Sequence, residues 1–158
     1  MGAIVTTSIG KSNDIETLTI RDTIPYTEVA ERLNLMWQEL GRHVALHKLK
    51  TAGAPYCLYH SLKTSTVDLE CGFPITGFAP EGGRVKRSTI PAAKCVTAIH
   101  EGPYESLAET YQSMQAWMQS KNLTPSKMRW EFYLIGPLQE KDPAKWKTQV
   151  FWPIEGKT

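Results

Sequence analysis

The sequence predicts an α+β fold in which a strand-helix-strand-strand module is used twice, giving one antiparallel sheet with both long helices on one face and a cleft at the pseudo-twofold seam. Three observations carry that prediction. The chain has 158 residues, and its 41% hydrophobic and 22% charged residues are ordinary for a globular domain, at a length near the single-domain prior of about 150. Slid against itself by 78 residues, the segment 19–40 matches without a gap at Thr19/Thr97, Pro25/Pro103, Tyr26/Tyr104, Ala30/Ala108, Glu31/Glu109 and Met36/Met114. Chance gives about one or two such identities. Phe73-Pro74-Ile75 then meets Trp152-Pro153-Ile154 at an offset of 79, so the halves begin and end alike. One domain over 1–158 is expected, with repeats at about 15–76 and 92–155 and a connector at about 77–91.

Ile15 to Ile20 and Cys95 to Ile99 alternate apolar and polar residues, the period of a half-buried strand, and open the two halves. Pro25 and Pro103 mark helix starts, where a missing N–H is harmless. Val29, Leu33, Met36/Trp37, Leu40 and Val44 follow at helical spacing, as do Leu107, Tyr111, Met114 and Trp117/Met118. Gly53 and Pro55 are expected to close the first helical region, Asn122 and Pro125 the second. Two strands follow each helix: Tyr56 to Leu62 with Val67 to Phe73, and Arg129 to Ile135 with Thr148 to Trp152. Between the halves, Gly77, Pro80, Gly82 and Gly83 read as a solvated, mobile linker carrying Arg84, Lys86 and Arg87. One helix and about three strands cannot cover both faces of a sheet, so the halves are expected to share one, its helix-free face forming the cleft.

A net charge of +2 nominates no polyanionic partner, and no direct nucleic-acid binding is expected. Three cysteines at spacings of 14 and 24 fit neither a disulfide framework nor a C-x-x-C site, which points to a reducing cytoplasm. No apolar run reaches the roughly 18 residues of a membrane span, so no membrane partner is expected.

His43 and His47, four apart on the first helix, lack a third metal ligand nearby and read as solvated; no metal site is expected. His60 and His100 stand alone, and Cys57, Cys71 and Cys95 read as small core residues. Glycine-rich phosphate loops are absent and no cofactor is expected. Glu131 is different. It stands in Met128-Arg129-Trp130-Glu131-Phe132-Tyr133-Leu134-Ile135, where period two puts Arg129, Glu131 and Tyr133 on one face and Trp130, Phe132 and Leu134, which read as core, on the other. Spacing leaves two readings open: a surface carboxylate paired at most with Arg129, or a carboxylate among the aromatic walls of a cleft. Five Trp and six Tyr supply such walls, and aromatic faces beside a carboxylate are what binding an apolar organic cation requires.

Gly102-Pro103-Tyr104-Glu105-Ser106-Leu107, Trp130-Glu131-Phe132-Tyr133, Asp142-Pro143, Trp146-Lys147-Thr148-Gln149-Val150 and Pro153-Ile154 resemble the signature of GyrI-like small-molecule-binding domains. That bacterial-type family includes the effector-binding domains of AraC-type and MerR-type multidrug regulators. Asp68-Leu69-Glu70-Cys71-Gly72-Phe73-Pro74-Ile75 looks like the matching segment of the first half. The resemblance implies a ligand cleft between the halves, with Glu131 as the ligand-binding glutamate and Tyr59, Glu70, Phe73, Tyr104, Tyr133 and Trp152 in the segments that contribute to it. Only about fourteen residues precede the first expected strand, so a stand-alone form is expected. The resemblance ranks three functions: a multidrug binder of small hydrophobic or cationic organic molecules, then a cofactor-independent hydrolase opening cyclopropane-bearing toxins with Glu131 as base and Tyr104 or Tyr133 as proton donor, then a DNA gyrase modulator.

Overall fold

The computed structural model describes residues 4–155. The elements are β1 (Ile4–Ser12), β2 (Ile15–Pro25), α1 (Val29–Leu46), β3 (Tyr56–Leu62), β4 (Thr66–Pro74), β5 (Lys86–Ile90), β6 (Ala93–Glu101), α2 (Leu107–Ser120), β7 (Arg129–Ile135) and β8 (Lys147–Pro153). They fall into two compact units, one formed by residues 13–92 and the other by the N-terminal strand together with the residues from Ala93 onward.

In the first of these units the antiparallel strand order is β3-β4-β2-β5, and in the second it is β1-β6-β8-β7. The expected strand-helix-strand-strand module is present in both, enlarged by a strand that the sequence reading missed. Ile4–Ser12, before the first expected strand, is itself a strand, and it pairs with β6 instead of folding back on β2. The connector is likewise not a mobile linker: Lys86–Ile90 pairs with β2. Its basic cluster is held too, Arg84 donating to Glu39 at 2.8 Å and lying 3.6 Å from Asp22. Each leading strand therefore serves the opening strand of the other repeat, and the Ala92 N–H donates to Asp14 at 2.6 Å where the two links pass.

Pro25 and Pro103 do open the helical regions, but through one 3-10 turn each, Tyr26–Glu28 and Tyr104–Ser106. Both helices end on the same device. In α1 the Leu49 N–H reaches Val44 O and the Lys48 N–H reaches Ala45 O; in α2 Leu123 reaches Met118 and Asn122 reaches Gln119. Lys48 (φ 51°) and Asn122 (φ 58°) take the left-handed position of this Schellman turn. The first helix thus ends at Leu46 with the left-handed turn at Lys48, ahead of the expected Gly53, because hydrogen bonding rather than a glycine sets its end. It has 18 residues against 14 in α2, one extra turn, which shifts the repeat offset from 78 to the 74 that separates Lys48 from Asn122. Register irregularities after Tyr59 and Tyr133 keep that 74-residue offset.

Each helix is fastened to its first strand by an equivalent constellation of different chemistry. In the unit of residues 13–92, Arg32 reaches Asp22 at 2.6 Å and Glu28 at 3.2 Å. At +78, His100 Nδ1 lies 2.6 Å from Thr110 Oγ1, with Ser106 Oγ 3.2 Å from His100 Nε2. An ion-pair clamp is replaced by a buried imidazole–hydroxyl one.

In the unit containing β6, α2 packs Met114 and Met118 onto Val96, Ala98, Val150 and Trp152. In the other unit, Trp37 on α1 meets Phe73 edge to face at 5.6 Å, which identifies the Leu18, Ile20, Cys71 and Phe73 face as the helix side. Between β2 and β4 the backbones approach closely at Gly72, where a Cβ would stand 2.0 Å from Leu18 O and 2.9 Å from Thr19 Cα. Gly72→Ala must push these strands apart and is expected to destabilise the protein by about 2 kcal/mol or more. Urea unfolding checks this, and an unchanged midpoint would show that β2 and β4 spread freely.

Candidate functional site

Glu131 lies in the middle of β7 opposite Val150 of β8, and Val150 belongs to the core under α2. The carboxylate therefore faces the helix and is 3% exposed. Glu131 is thus no surface carboxylate; it lies among aromatic rings, but on the helix side of β7 instead of the helix-free face on which the cleft was expected. Trp130 and Phe132 are buried on the opposite face against Phe151, as expected of core, whereas Leu134 is 41% exposed because the register breaks after Tyr133.

Two phenols satisfy the buried carboxylate. Tyr111 of α2 donates to Oε2, and Tyr133, two residues along the same strand face, donates to Oε1 at 2.8 Å. Arg129 completes the i, i+2, i+4 row of that face, its guanidinium 3.8 Å from the centre of the Tyr111 ring and 5.1 Å from that of Trp152. Trp152 meets Tyr111 edge to face at 5.6 Å, and its indole N–H donates to Ser126 O at 2.8 Å, which fixes the wall. Tyr104 extends the aromatic surface from Tyr133, at 5.6 Å, to Trp146, at 4.9 Å. Its hydroxyl lies against Gly136, where a Cβ would stand 2.9 Å from it. Of the expected residues, Glu131, Tyr104, Tyr133 and Trp152 come together here.

Tyr111 and Arg129 were not singled out in the sequence as site residues, yet the repeat holds a signal for the first. At offset 78 Tyr111 replaces Leu33, and at offset 74 Glu131 replaces Cys57, so a phenol-carboxylate pair stands where the other repeat has leucine and cysteine.

Burial pushes the Glu131 carboxyl above the ordinary glutamate range, against the opposing pull of the Tyr111 and Tyr133 hydrogen bonds and the Arg129 charge. The Tyr104 phenol is raised by burial and by Glu131.

The remaining expected residues sit in the other unit on two different faces. Phe73 and Tyr59 share the α1 side, whereas Glu70 points to the opposite side with Tyr56. There Tyr56 donates to Glu70 Oε2 at 2.8 Å, His60 Nε2 donates to Oε1 at 2.7 Å, and the Tyr56 oxygen lies 3.0 Å from Thr17 Oγ1. Burial alone would raise the Glu70 carboxyl, but the His60 and Tyr56 hydrogen bonds outweigh it and hold it below the ordinary range. Tyr56 is pushed up by burial and by that carboxylate.

Other reactive groups are committed to structure. His100 Nε2 must carry its proton, since it donates to Pro103 O at 3.0 Å, and Ser106 Oγ donates to the same carbonyl at 2.8 Å. This imidazole is no base for Ser106. His43, expected to be solvated, is instead buried, donating from Nε2 to Pro80 O at 2.6 Å. All three cysteines are free and buried, and burial, with Glu70 adding, pushes the Cys71 thiol up to about 12. Among the described residues no three His, Cys, Asp or Glu side chains form a metal-binding group, and no helix is long and apolar enough to cross a membrane.

The two buried carboxylates act oppositely on stability. Glu70 titrates below its unfolded value near 4.5, so its contribution is full above that pH and is lost as pH falls through the lowered folded value. Glu70→Gln is therefore expected to lose less stability than the wild type between about pH 5 and pH 3. Urea midpoints at each pH measure this, and parallel acid limbs would contradict it.

Residues 6–155 match the family of GyrI-like small molecule binding domains. No curated protein is a significant match to the sequence. Among solved structures, the C-terminal domain of EcmrR is 22% identical with a TM-score of 0.84, the alignment covering 98% of this chain and 99% of that one. In the EcmrR–DNA complex the same likeness covers 97% of this chain and 58% of EcmrR, at 23% identity and a TM-score of 0.84. SAV2435 bound to tetraphenylphosphonium is 13% identical over 96% of this chain and 94% of that one, with a TM-score of 0.63. A hydrolase from Listeria innocua is 14% identical over 94% and 91%, with a TM-score of 0.65. At these identities the likenesses show the fold, and the family match over nearly the whole sequence shows the kinship: the chain belongs to the GyrI-like small-molecule-binding domains.

Proposed function

We propose that the protein binds apolar aromatic organic compounds, cationic ones among them, at the Glu131 cluster. The observation that carries this reading is a carboxylate buried among aromatic rings, held in place by two phenol hydrogen bonds. A carboxylate taken out of water is costly unless it is paired, and a ligand cation that stacks on Tyr111, Trp152, Tyr104 or Trp146 brings a charge of the favourable sign and apolar area together. The SAV2435 complex supports the choice of tetraphenylphosphonium as a probe.

A hydrolytic use of the same cluster is the second reading, suggested by the hydrolase from Listeria innocua. Against it, each Glu131 oxygen already accepts a phenol hydrogen bond and the residue is 3% exposed, so a water activated by this carboxylate has to share it with Tyr111 and Tyr133 in a place that solvent barely reaches. Incubation with excess cyclopropane-bearing toxin is therefore expected to give stoichiometric binding without the water-addition product, by mass spectrometry; repeated turnover abolished by Glu131→Gln would reverse the ranking.

Binding of tetraphenylphosphonium, followed by tryptophan fluorescence, is expected to weaken in Glu131→Gln by about ten- to a hundredfold, or roughly 1 to 3 kcal/mol. Equal affinity in the two proteins would refute the assignment. The pH dependence has a fixed sign: the carboxylate titrates above the ordinary 4.5, so wild-type affinity for the cation falls as pH drops through that raised value, while Glu131→Gln stays flat there.

A further inference from the structure

The position that an aromatic cation would take is already held by the chain itself. The Arg129 guanidinium lies over the Tyr111 ring at 3.8 Å and near Trp152 at 5.1 Å, both inside the roughly 6 Å reach of a cation–π contact. The hydroxyl of the same Tyr111 donates to Glu131. One ring thus joins a resident cation on its face to a buried anion at its edge, and Arg129 supplies both the stacking and the charge expected of a ligand.

We infer that Arg129 is a resident competitor that sets ligand selection: a cationic aromatic compound binds at Tyr111 and Trp152 only by expelling the guanidinium, whereas a neutral aromatic compound binds alongside it. This rests on the Glu131 reading above. With Arg129 in place the charges of guanidinium and carboxylate cancel, and a second cation leaves the cluster with a net positive charge in a poorly solvated place. Arg129 is the first residue of β7 and partly exposed, and its long side chain can swing to water. A neutral ligand meets no such opposition and keeps the Arg129–Tyr111 contact.

Wild type, Arg129→Met and Arg129→Lys are titrated with tetraphenylphosphonium and with neutral triphenylphosphine oxide. Arg129→Met keeps apolar bulk, removes the charge and is expected to bind the cation about tenfold more tightly, with the oxide changed by less than about twofold. Arg129→Lys keeps a competing charge and is expected to stay near wild type for both. Free guanidinium at millimolar concentration should compete with tetraphenylphosphonium in Arg129→Met more than in wild type, because it refills the vacated position. Arg129→Gln carries the same expectation should the methionine variant not fold. A neutral variant that binds the cation no more tightly than wild type overturns the inference. The underlying reading fails separately, when Glu131→Gln leaves cation affinity unchanged in the wild-type background.

Discussion

The hydrogen bond from Tyr111 to Glu131 joins a helix to a strand through a charge that water barely reaches. A buried carboxylate without donors costs several kcal/mol, so the phenol has to arrive, and its arrival fixes the rotation of α2 on its sheet. With Tyr111 committed to that direction, Met114 and Met118 follow on the same stripe into Val96, Ala98, Val150 and Trp152. The ring face left over is the one Arg129 covers. Packing, charge compensation and the candidate site are thus consequences of one placement.

The two repeats show how such a site arises on a duplicated frame. Their backbones keep the same helix entry, the same left-handed helix exit and the same irregularity in the second strand of the module. Side chains at matched positions do not. Asp22, Glu28 and Arg32 become His100, Ser106 and Thr110, and Leu33 with Cys57 becomes Tyr111 with Glu131. The other repeat holds its own buried carboxylate, Glu70, on the sheet face away from its helix, where Tyr56 and His60 satisfy it locally. Glu131 differs in having aromatic faces around it as well as hydroxyl partners.

Much of the frame was legible because it follows from periodicity. The apolar stripes of both helices and the hydrophobic runs of β3 and β7 report burial, and β3 and β7 carry the bounds expected of them; the alternation in β2 and β6 located the strands but not their burial, since Thr17 and Thr19 are buried beside Leu18 and Ile20, and Cys95 beside Val96. What escaped depends on partners distant in sequence. Nothing local shows that Ile4–Ser12 and Lys86–Ile90 find their hydrogen bonds across the repeat, nor that Arg84 is spoken for by Glu39. Glu131 was legible as unusual, an acid in an aromatic strand. The direction in which it points depends on which sheet face α2 covers, and period two is blind to that.

The exchange of leading strands imposes an order on the chain as it is made. Residues 13–92 are contiguous, so every strand of that unit has its partners once Ala92 has left the ribosome. β1 is synthesised before the other described strands, yet Ser12 pairs with Ala93, 81 positions later. At about 5 to 20 residues per second, this strand waits roughly 4 to 16 s with its backbone donors and acceptors turned to solvent or to whatever else is near. β1 thus gains its partner only after all of residues 13–92 have been made, and ahead of β7 and β8.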